Sequence, residues 1–131
     1  MSKNILLVDD NDELRDLAEI VFEKEGLDYR TCGSGCDALE LMEEREYDVL
    51  VTDYQMPEMD GEELIGEIRS RDSRTHTVLY STDDSMAETA EVLGVPFKHK
   101  TGGLEVYRDI VEMLKGTNEL ALKEVPAEQY I

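Results

Sequence analysis

"YDVLVTDYQMPEMDGEEL", Tyr47 to Leu64, decides how the rest of the chain is read. Its first half is an apolar run, Val49-Leu50-Val51, with the length and β-branched character of a buried strand, and it leads to a carboxylate, Asp53. A loop held by Pro57 and Gly61 follows, and Leu64, Ile65 and Ile68 then recur at helical spacing. The stretch is therefore one strand–loop–helix unit, with the strand predicted over Tyr47–Thr52 and Asp53 at its end. An aspartate in that place ordinarily caps a helix or closes a turn, so its meaning depends on what ends the other strands.

Working outward, the same unit recurs on both sides. Ile5–Val8 is a short apolar strand, and after Asp9-Asp10-Asn11 the residues Leu14, Leu17, Ala18 and Val21 mark a helix that Gly26 stops. Tyr29–Cys32 reads as a strand, and Ser34 with Asp37 three residues on reads as the capped start of a helix carrying Ala38, Leu41 and Met42. Beyond the central unit, Thr77–Ser81 is a strand, Asp83 or Asp84 is expected to cap a helix with Met86, Ala87, Ala90 and Leu93, and Gly94 ends it. Pro96–His99 is a short strand, and Leu104, Tyr107, Ile110, Val111 and Leu114 set the last helix.

Strict alternation of strand and helix implies a parallel sheet with helices on both faces, because every crossover must return the chain to the same end. Five such units suit a single doubly wound α/β domain of flavodoxin-like order 2-1-3-4-5. Pro96 fits an edge position for the fifth strand, since proline cannot donate to a ladder. The domain is expected over residues 1–116, with 117–131 a C-terminal tail or the start of a linker.

Composition removes several classes of function. The chain has 131 residues, 40% of them hydrophobic, enough for one cored domain despite a net charge of −19. With 32 acidic against 13 basic residues its field repels phosphate backbones, so nucleic acid is not an expected partner. No stretch nears the apolar length of a membrane span and none resembles a signal peptide, which points to a cytoplasmic protein. Cys32 and Cys36, spaced C-x₃-C, match neither a redox pair nor half a zinc site and read as reduced structural thiols; His76 and His99 read as strand-edge residues.

In open α/β sheets ligands bind outside the carboxyl ends of the strands where the order reverses, here between the first and third. The first ends at Asp9-Asp10, the third at Asp53, the fourth at Ser81-Thr82 and the fifth at Lys100. Three carboxylates crowded together repel, and burial drives their pKa values up. A hard divalent cation resolves the conflict, and carboxylate and water oxygens are what Mg²⁺ prefers. Open metal positions, an ammonium and a hydroxyl suit phosphoryl transfer, in which positioning and charge neutralisation supply most of the catalysis.

These residues resemble the receiver domain of bacterial response regulators over about residues 3 to 115. "ILLVDDN" resembles the opening strand and acidic pair of that family, and "DVLVTDYQMPEMDG" its phosphoacceptor segment; "TVLYST" and "FKHK" resemble the fourth strand with its Ser/Thr switch and the aromatic-x-x-Lys of the fifth. The resemblance implies that Asp53 accepts a phosphoryl group from a phosphohistidine on a histidine kinase or histidine phosphotransferase. It implies that Asp9, Asp10, Asp53 and the backbone carbonyl of Gln55 hold Mg²⁺, that Lys100 contacts the phosphoryl group, and that Ser81 and Phe97 switch. An output partner is expected on the face of the fourth helix, fifth strand and fifth helix.

The sequence departs from the family pattern at four places, one of them the Gly94-Val95-Pro96 turn before the fifth strand, which looks shortened. Thr101 replaces the proline that usually follows the lysine, which predicts a trans Lys100–Thr101 bond, or a strained cis bond kept because it aims Lys100. Thr82 stands beside the site where a smaller residue is usual, and Phe97 lacks the hydroxyl of the commoner tyrosine. A rival reading is a pseudo-receiver, an interaction module that takes no phosphate; Asp9, Asp10, Asp53, Ser81 and Lys100 argue against it, Thr82 and Thr101 for it. A phosphatase of the haloacid dehalogenase type needs an acid two residues after its nucleophile, where this chain has Gln55. The protein is expected to promote its own phosphorylation and dephosphorylation as a signalling device. The segment after residue 116 is shorter than an output domain, which leaves a stand-alone receiver or a chain whose output lies elsewhere.

Overall fold

The computed structural model describes residues 4–71, 74–101 and 103–115; the expected tail, 117–131, lies outside them. Its elements alternate as expected: β1 (Asn4–Val8), α1 (Asp12–Lys24), β2 (Asp28–Cys32), α2 (Gly35–Glu44), β3 (Val49–Asp53), α3 (Gly61–Arg71), β4 (His76–Ser81), α4 (Met86–Leu93), β5 (Phe97–His99) and α5 (Glu105–Lys115). The strands form one parallel sheet in the order β2-β1-β3-β4-β5, as the alternation predicts. β3 starts two residues later than expected and takes in Asp53, so the carboxylate belongs to the last residue of the strand.

Residue alternation along the strands divides the core into layers. Ile5, Leu7, Val49, Val51, Val78 and Tyr80 face one way, onto Ala18, Val21 and Phe22 of α1 and Val106, Tyr107, Ile110, Val111 and Leu114 of α5. Leu6, Val8 and Leu50 face the other way, onto Ala38 and Leu39 of α2 and Leu64 and Ile68 of α3. A smaller cluster of Ile65, Leu79, Ala90 and Val95 seats α4, with Phe97 partly buried against it. β1 and β3 are buried along their whole length, in keeping with their apolar stretches Ile5–Val8 and Val49–Val51.

Local chemistry sets the helix ends. Asn11 accepts from the Leu14 N–H at 3.1 Å and Ser34 from the Asp37 N–H at 3.1 Å, each capping its helix. α1 ends at Gly26 (φ +71°), where Leu27 N–H bonds to the Phe22 carbonyl and Gly26 N–H to that of Glu23; α4 ends the same way at Gly94 (φ +72°). The expected cap of α4 by Asp83 or Asp84 is not what forms. Ser85 is the cap residue and makes no side-chain capping bond. The Asp83 carboxylate lies two residues too early and accepts instead from the Ser85 N–H (2.9 Å) and Oγ (2.7 Å), closing a turn before the helix.

The β3–α3 loop is tightly drawn. Glu58 has φ +70°, with the Met59 N–H bonded to the Pro57 carbonyl at 2.8 Å, a strained γ-turn centred on a side-chain-bearing residue. Asp60 and Glu63 cap α3 reciprocally, each carboxylate accepting from the other's N–H. Gly61 donates to the Tyr54 carbonyl at 2.7 Å, and a Cβ on it would lie 2.5 Å from the Asp53 carbonyl oxygen and 3.0 Å from the Tyr54 Cα. Gly61→Ala is therefore expected to destabilise the fold by about 1–3 kcal/mol, because backbone must move rather than a side-chain tip. Urea unfolding measures the loss, and amide shifts of Asp53 and Tyr54 report the displaced strand end.

Candidate functional site

Strand register brings the carboxylates together. Val8 pairs with Thr52, and one step further along, Asp9 and Asp53 end their strands on the same side of the sheet as Leu7 and Val51. Asp53 in turn pairs with Tyr80 on β4. Lys100 follows β5, and its N–H bonds to the Ser81 carbonyl at 2.7 Å, which carries the ladder one residue past the strand.

The centre of the site is ionic and buried. Lys100 Nζ stands 3.0 Å from Asp9 Oδ2 and 3.2 Å from Asp53 Oδ2, with Asp9 fully buried, Lys100 6% exposed and Asp53 8%. Asp9 Oδ1 accepts from the Asn11 N–H at 3.0 Å and Asp53 Oδ1 from the Tyr54 N–H at 2.9 Å. The Tyr80 hydroxyl donates to Asp9 Oδ2, and Lys100 Nζ lies 4.6 Å from the centroid of the Tyr80 ring. Arg15 reaches from α1 to the Asp9 carbonyl at 2.6 Å, bracing the backbone below.

Two buried carboxylates share one ammonium, so the centre carries an excess negative charge. Burial pushes the Asp53 carboxyl up to about 6; the Lys100 charge pulls it down, and the Asp9 charge pushes it up again. Burial and then the Asp9 charge push the Tyr80 phenol far up, so it remains a hydrogen-bond donor. Burial likewise raises the Tyr107 phenol to about 12. Its hydroxyl lacks a hydrogen bond of ordinary geometry, although it stands close enough to that of Tyr80 to influence it.

Asp10 is exposed at the rim. One oxygen each from Asp9, Asp10 and Asp53 lies within 4.8 Å of the others, a hard-oxygen set suited to a divalent cation, and the excess charge gives such an ion a reason to bind. A groove lined by Asp10, Tyr54, Gln55, Met56, Pro57 and Asp60 opens the site to solvent. Gln55 is thus placed on the same side as the exposed carboxylate.

The other expected residues gather less tightly. Ser81 is buried at the end of β4, where its Oγ accepts from the Asp83 N–H at 3.0 Å. Thr82 and Thr101 are exposed next to Ser81 and Lys100. No peptide bond is cis among the described residues, so Lys100–Thr101 is trans, as the absence of proline predicts. Phe97 pairs with Leu79 and packs in the α4 cluster, behind the site rather than in it.

The cysteines are free thiols, and burial pushes Cys32 up to about 11, in keeping with a structural role. His99 ends β5 with its Nδ1 2.6 Å from Asp84 Oδ1, and His76 begins β4. Sequence reasoning missed Tyr80 and Arg15. A tyrosine in the apolar strand Thr77–Ser81 was the available signal, since a buried phenol needs a partner for its hydroxyl.

The shift at Asp53 has a measurable consequence. Its folded value lies above the ordinary 3.8, so ionised Asp53 costs stability. The cost is absent below about pH 4, grows as pH rises to about 6 and is complete above that. Asp9, Asp10, Lys100, Tyr80 and Tyr107 are titratable groups close to it. Asp53→Asn leaves a neutral Asp9–Lys100 pair, and is expected to stabilise the metal-free protein at pH 7.5 by about 1–3 kcal/mol, with the gain vanishing toward pH 4. Urea unfolding of both proteins at the two pH values checks this.

Comparisons with known proteins bear on the family and the fold. Residues 5–97 match the profile of the response regulator receiver domain. The regulatory protein AtoC of Escherichia coli (strain K12) is 34% identical over 89 residues, 68% of this chain and 19% of its own length. The regulator of RpoS of the same organism is 33% identical over 93 residues, 71% of this chain and 28% of its own length. The chain thus spans less than a third of these two relatives. Among solved structures, the response regulator TrrA of Thermotoga maritima, in complex with Mg²⁺-BeF, gives a TM-score of 0.75 at 26% identity, covering 86% of this chain and 98% of that one. NtrX of Brucella abortus gives 0.79 at 26% identity, covering 92% and 28%. CheY4 of Vibrio cholerae, 22% identical, shares the fold with a TM-score of 0.76 over 87% of this chain and 99% of that one. A profile match running from β1 to the start of β5 identifies the chain as a member of the response regulator receiver domain family.

Proposed function

We propose that this receiver takes a phosphoryl group from a phosphohistidine, on a histidine kinase or histidine phosphotransferase, onto the carboxylate of Asp53. The supporting observation is the Asp53 side chain itself, sunk at the end of β3 with Lys100 Nζ 3.2 Å from one oxygen and a groove beside it. A carboxylate pushed up to about 6 is mostly ionised at neutral pH and is a competent nucleophile. Its oxygen forms a bond to phosphorus as the phosphorus–nitrogen bond breaks, and the imidazole leaves with that electron pair. Hydrolysis of the acyl phosphate returns the carboxylate.

Asp9, Asp10, Asp53 and the carbonyl of Gln55 would hold Mg²⁺, which when bound neutralises charge on the phosphoryl oxygens. Lys100 turns its ammonium to a phosphoryl oxygen, and the Ser81 hydroxyl leaves the Asp83 N–H to donate to another. Phosphorylation adds roughly −1.5 to −2 charges and new acceptors, favouring the conformer that supplies donors. Phe97 then turns inward behind Ser81, changing the α4–β5–α5 face that an output partner reads. Thr82 and Thr101, exposed next to Ser81 and Lys100 in the chain, tune access and rates. With a net charge of −19, and no described helix long and apolar enough to cross a membrane, the partners proposed are proteins of the cytoplasm and not nucleic acid.

Intact mass after incubation with a small acyl-phosphate donor tests the reading. Wild type with Mg²⁺ is expected to gain one phosphoryl group, and neither Asp53→Ala nor the Mg²⁺-free sample is. Lys100→Ala is expected to slow the gain by about 10²-fold. Failure of wild type to gain mass from both the small donor and a phosphorylated histidine protein of its own pathway would favour the pseudo-receiver.

A further inference from the structure

Both oxygens of Asp9 are engaged. Oδ1 takes the Asn11 N–H at 3.0 Å, and Oδ2 is shared between Lys100 Nζ at 3.0 Å and the Tyr80 hydroxyl. The phenol reaches it from β4, across β3, because Tyr80 sits opposite Asp53 in the ladder and points to the same side of the sheet. Its ring is fully buried and fixed from two directions: Lys100 Nζ lies 4.6 Å from the centroid, and Tyr107 of α5 packs edge-on at 6.2 Å. Packing alone would be met by an aliphatic side chain, as Val78 meets it two residues earlier. The hydroxyl needs its own explanation.

We infer that Tyr80 is a positioning residue of the phosphoacceptor site: its hydroxyl fixes the Asp9 carboxylate for the metal and keeps Oδ2 partnered when Lys100 turns to a phosphoryl oxygen. The inference rests on the function proposed above. A buried carboxylate oxygen that loses its ammonium partner bears the full desolvation penalty unless another donor remains, and Tyr80 is that donor. Without the hydroxyl, Oδ2 depends on Lys100 alone, and once the ammonium turns away only the Asn11 N–H holds the carboxylate. The population competent to hold the ion falls, and apparent affinity falls by the same factor. Hydrogen bonds behind metal-binding carboxylates typically carry about 10–100-fold in affinity.

Calorimetric titration with Mg²⁺ of wild type, Tyr80→Phe, Asp9→Asn and the double variant tests this. Phenylalanine keeps the ring, the contact with Tyr107 and the seat of Lys100, and thermal melting reads folding separately. Tyr80→Phe is expected to weaken Mg²⁺ binding about tenfold in the wild-type background. In the Asp9→Asn background it is expected to change affinity less than about twofold, because the hydroxyl acts through Asp9. Equal affinities for wild type and Tyr80→Phe would overturn the role of Tyr80 and leave the phosphoacceptor reading intact. So would a tenfold loss that persists without the Asp9 carboxylate. A wild type that neither binds Mg²⁺ nor gains a phosphoryl group would defeat the proposed function, and the role of Tyr80 with it.

Discussion

One ammonium between two buried carboxylates is the interaction on which the rest of this structure depends. Lys100 comes from the end of the last and shortest strand, while Asp9 and Asp53 end the two strands at the centre of the sheet. Removing such charges from water costs several kcal/mol per ion, and their attraction offsets the cost only when the geometry is close and the remaining lone pairs are satisfied. Here those lone pairs meet the N–H groups of Asn11 and Tyr54 and the hydroxyl of Tyr80. Every strand but β2 therefore has an end that must be placed correctly. The balance is still uneven: burial raises Asp53, the Asp9 charge adds to the rise, and the negative charge left over suits the carboxylates to a divalent cation.

The surrounding loops hold this arrangement by close backbone approach. Gly61 lets α3 begin against the carbonyl of Asp53, while the Asp60–Glu63 capping box and the strained turn at Glu58 fix the loop in between. Strain of this kind persists only where its surroundings over-determine it. The opposite side of the site is packed more thinly. α4 is seated by few buried side chains, its first turn lacks a side-chain cap, and Phe97 is only partly buried against it. Elements with few buried apolar contacts open and shift at the least cost in free energy. A densely hydrogen-bonded acidic centre thus lies beside a lightly held α4, the arrangement on which the proposed switch relies.

Much of this was legible before any coordinates. Five strand-like runs, the stops at Gly26 and Gly94 and the cap at Ser34 imply the alternation, and the alternation implies the strand order. Asp9, Asp53, Ser81 and Lys100 then followed as strand-end residues. Other parts were not legible, for identifiable reasons. Asp83 looks like a cap in sequence, but its distance from the first helical turn turns its carboxylate to Ser85 instead. Asp60 and Glu63 carry the capping-box spacing, but Glu58 and Glu62 crowd the same turn with carboxylates and local sequence does not select the pair that caps. Tyr80 reads as one more core residue of an apolar strand.

Sheet order, and the charged residues gathered at the carboxyl ends of the strands, can be read from the chain alone. These follow from local periodicity and from the handedness of parallel crossovers, both of which act on short stretches of chain. Tertiary structure alone decided which carboxylate oxygen Lys100 shares, that Asp9 is sealed while Asp10 meets solvent, and that a phenol from β4 crosses β3 to reach β1. Contacts of that kind join residues 71 and 91 positions apart, Tyr80 to Asp9 and Lys100 to Asp9, and no local pattern carries them. Their geometry depends on side-chain length and strand register acting together, and that combination exists only once the sheet has formed.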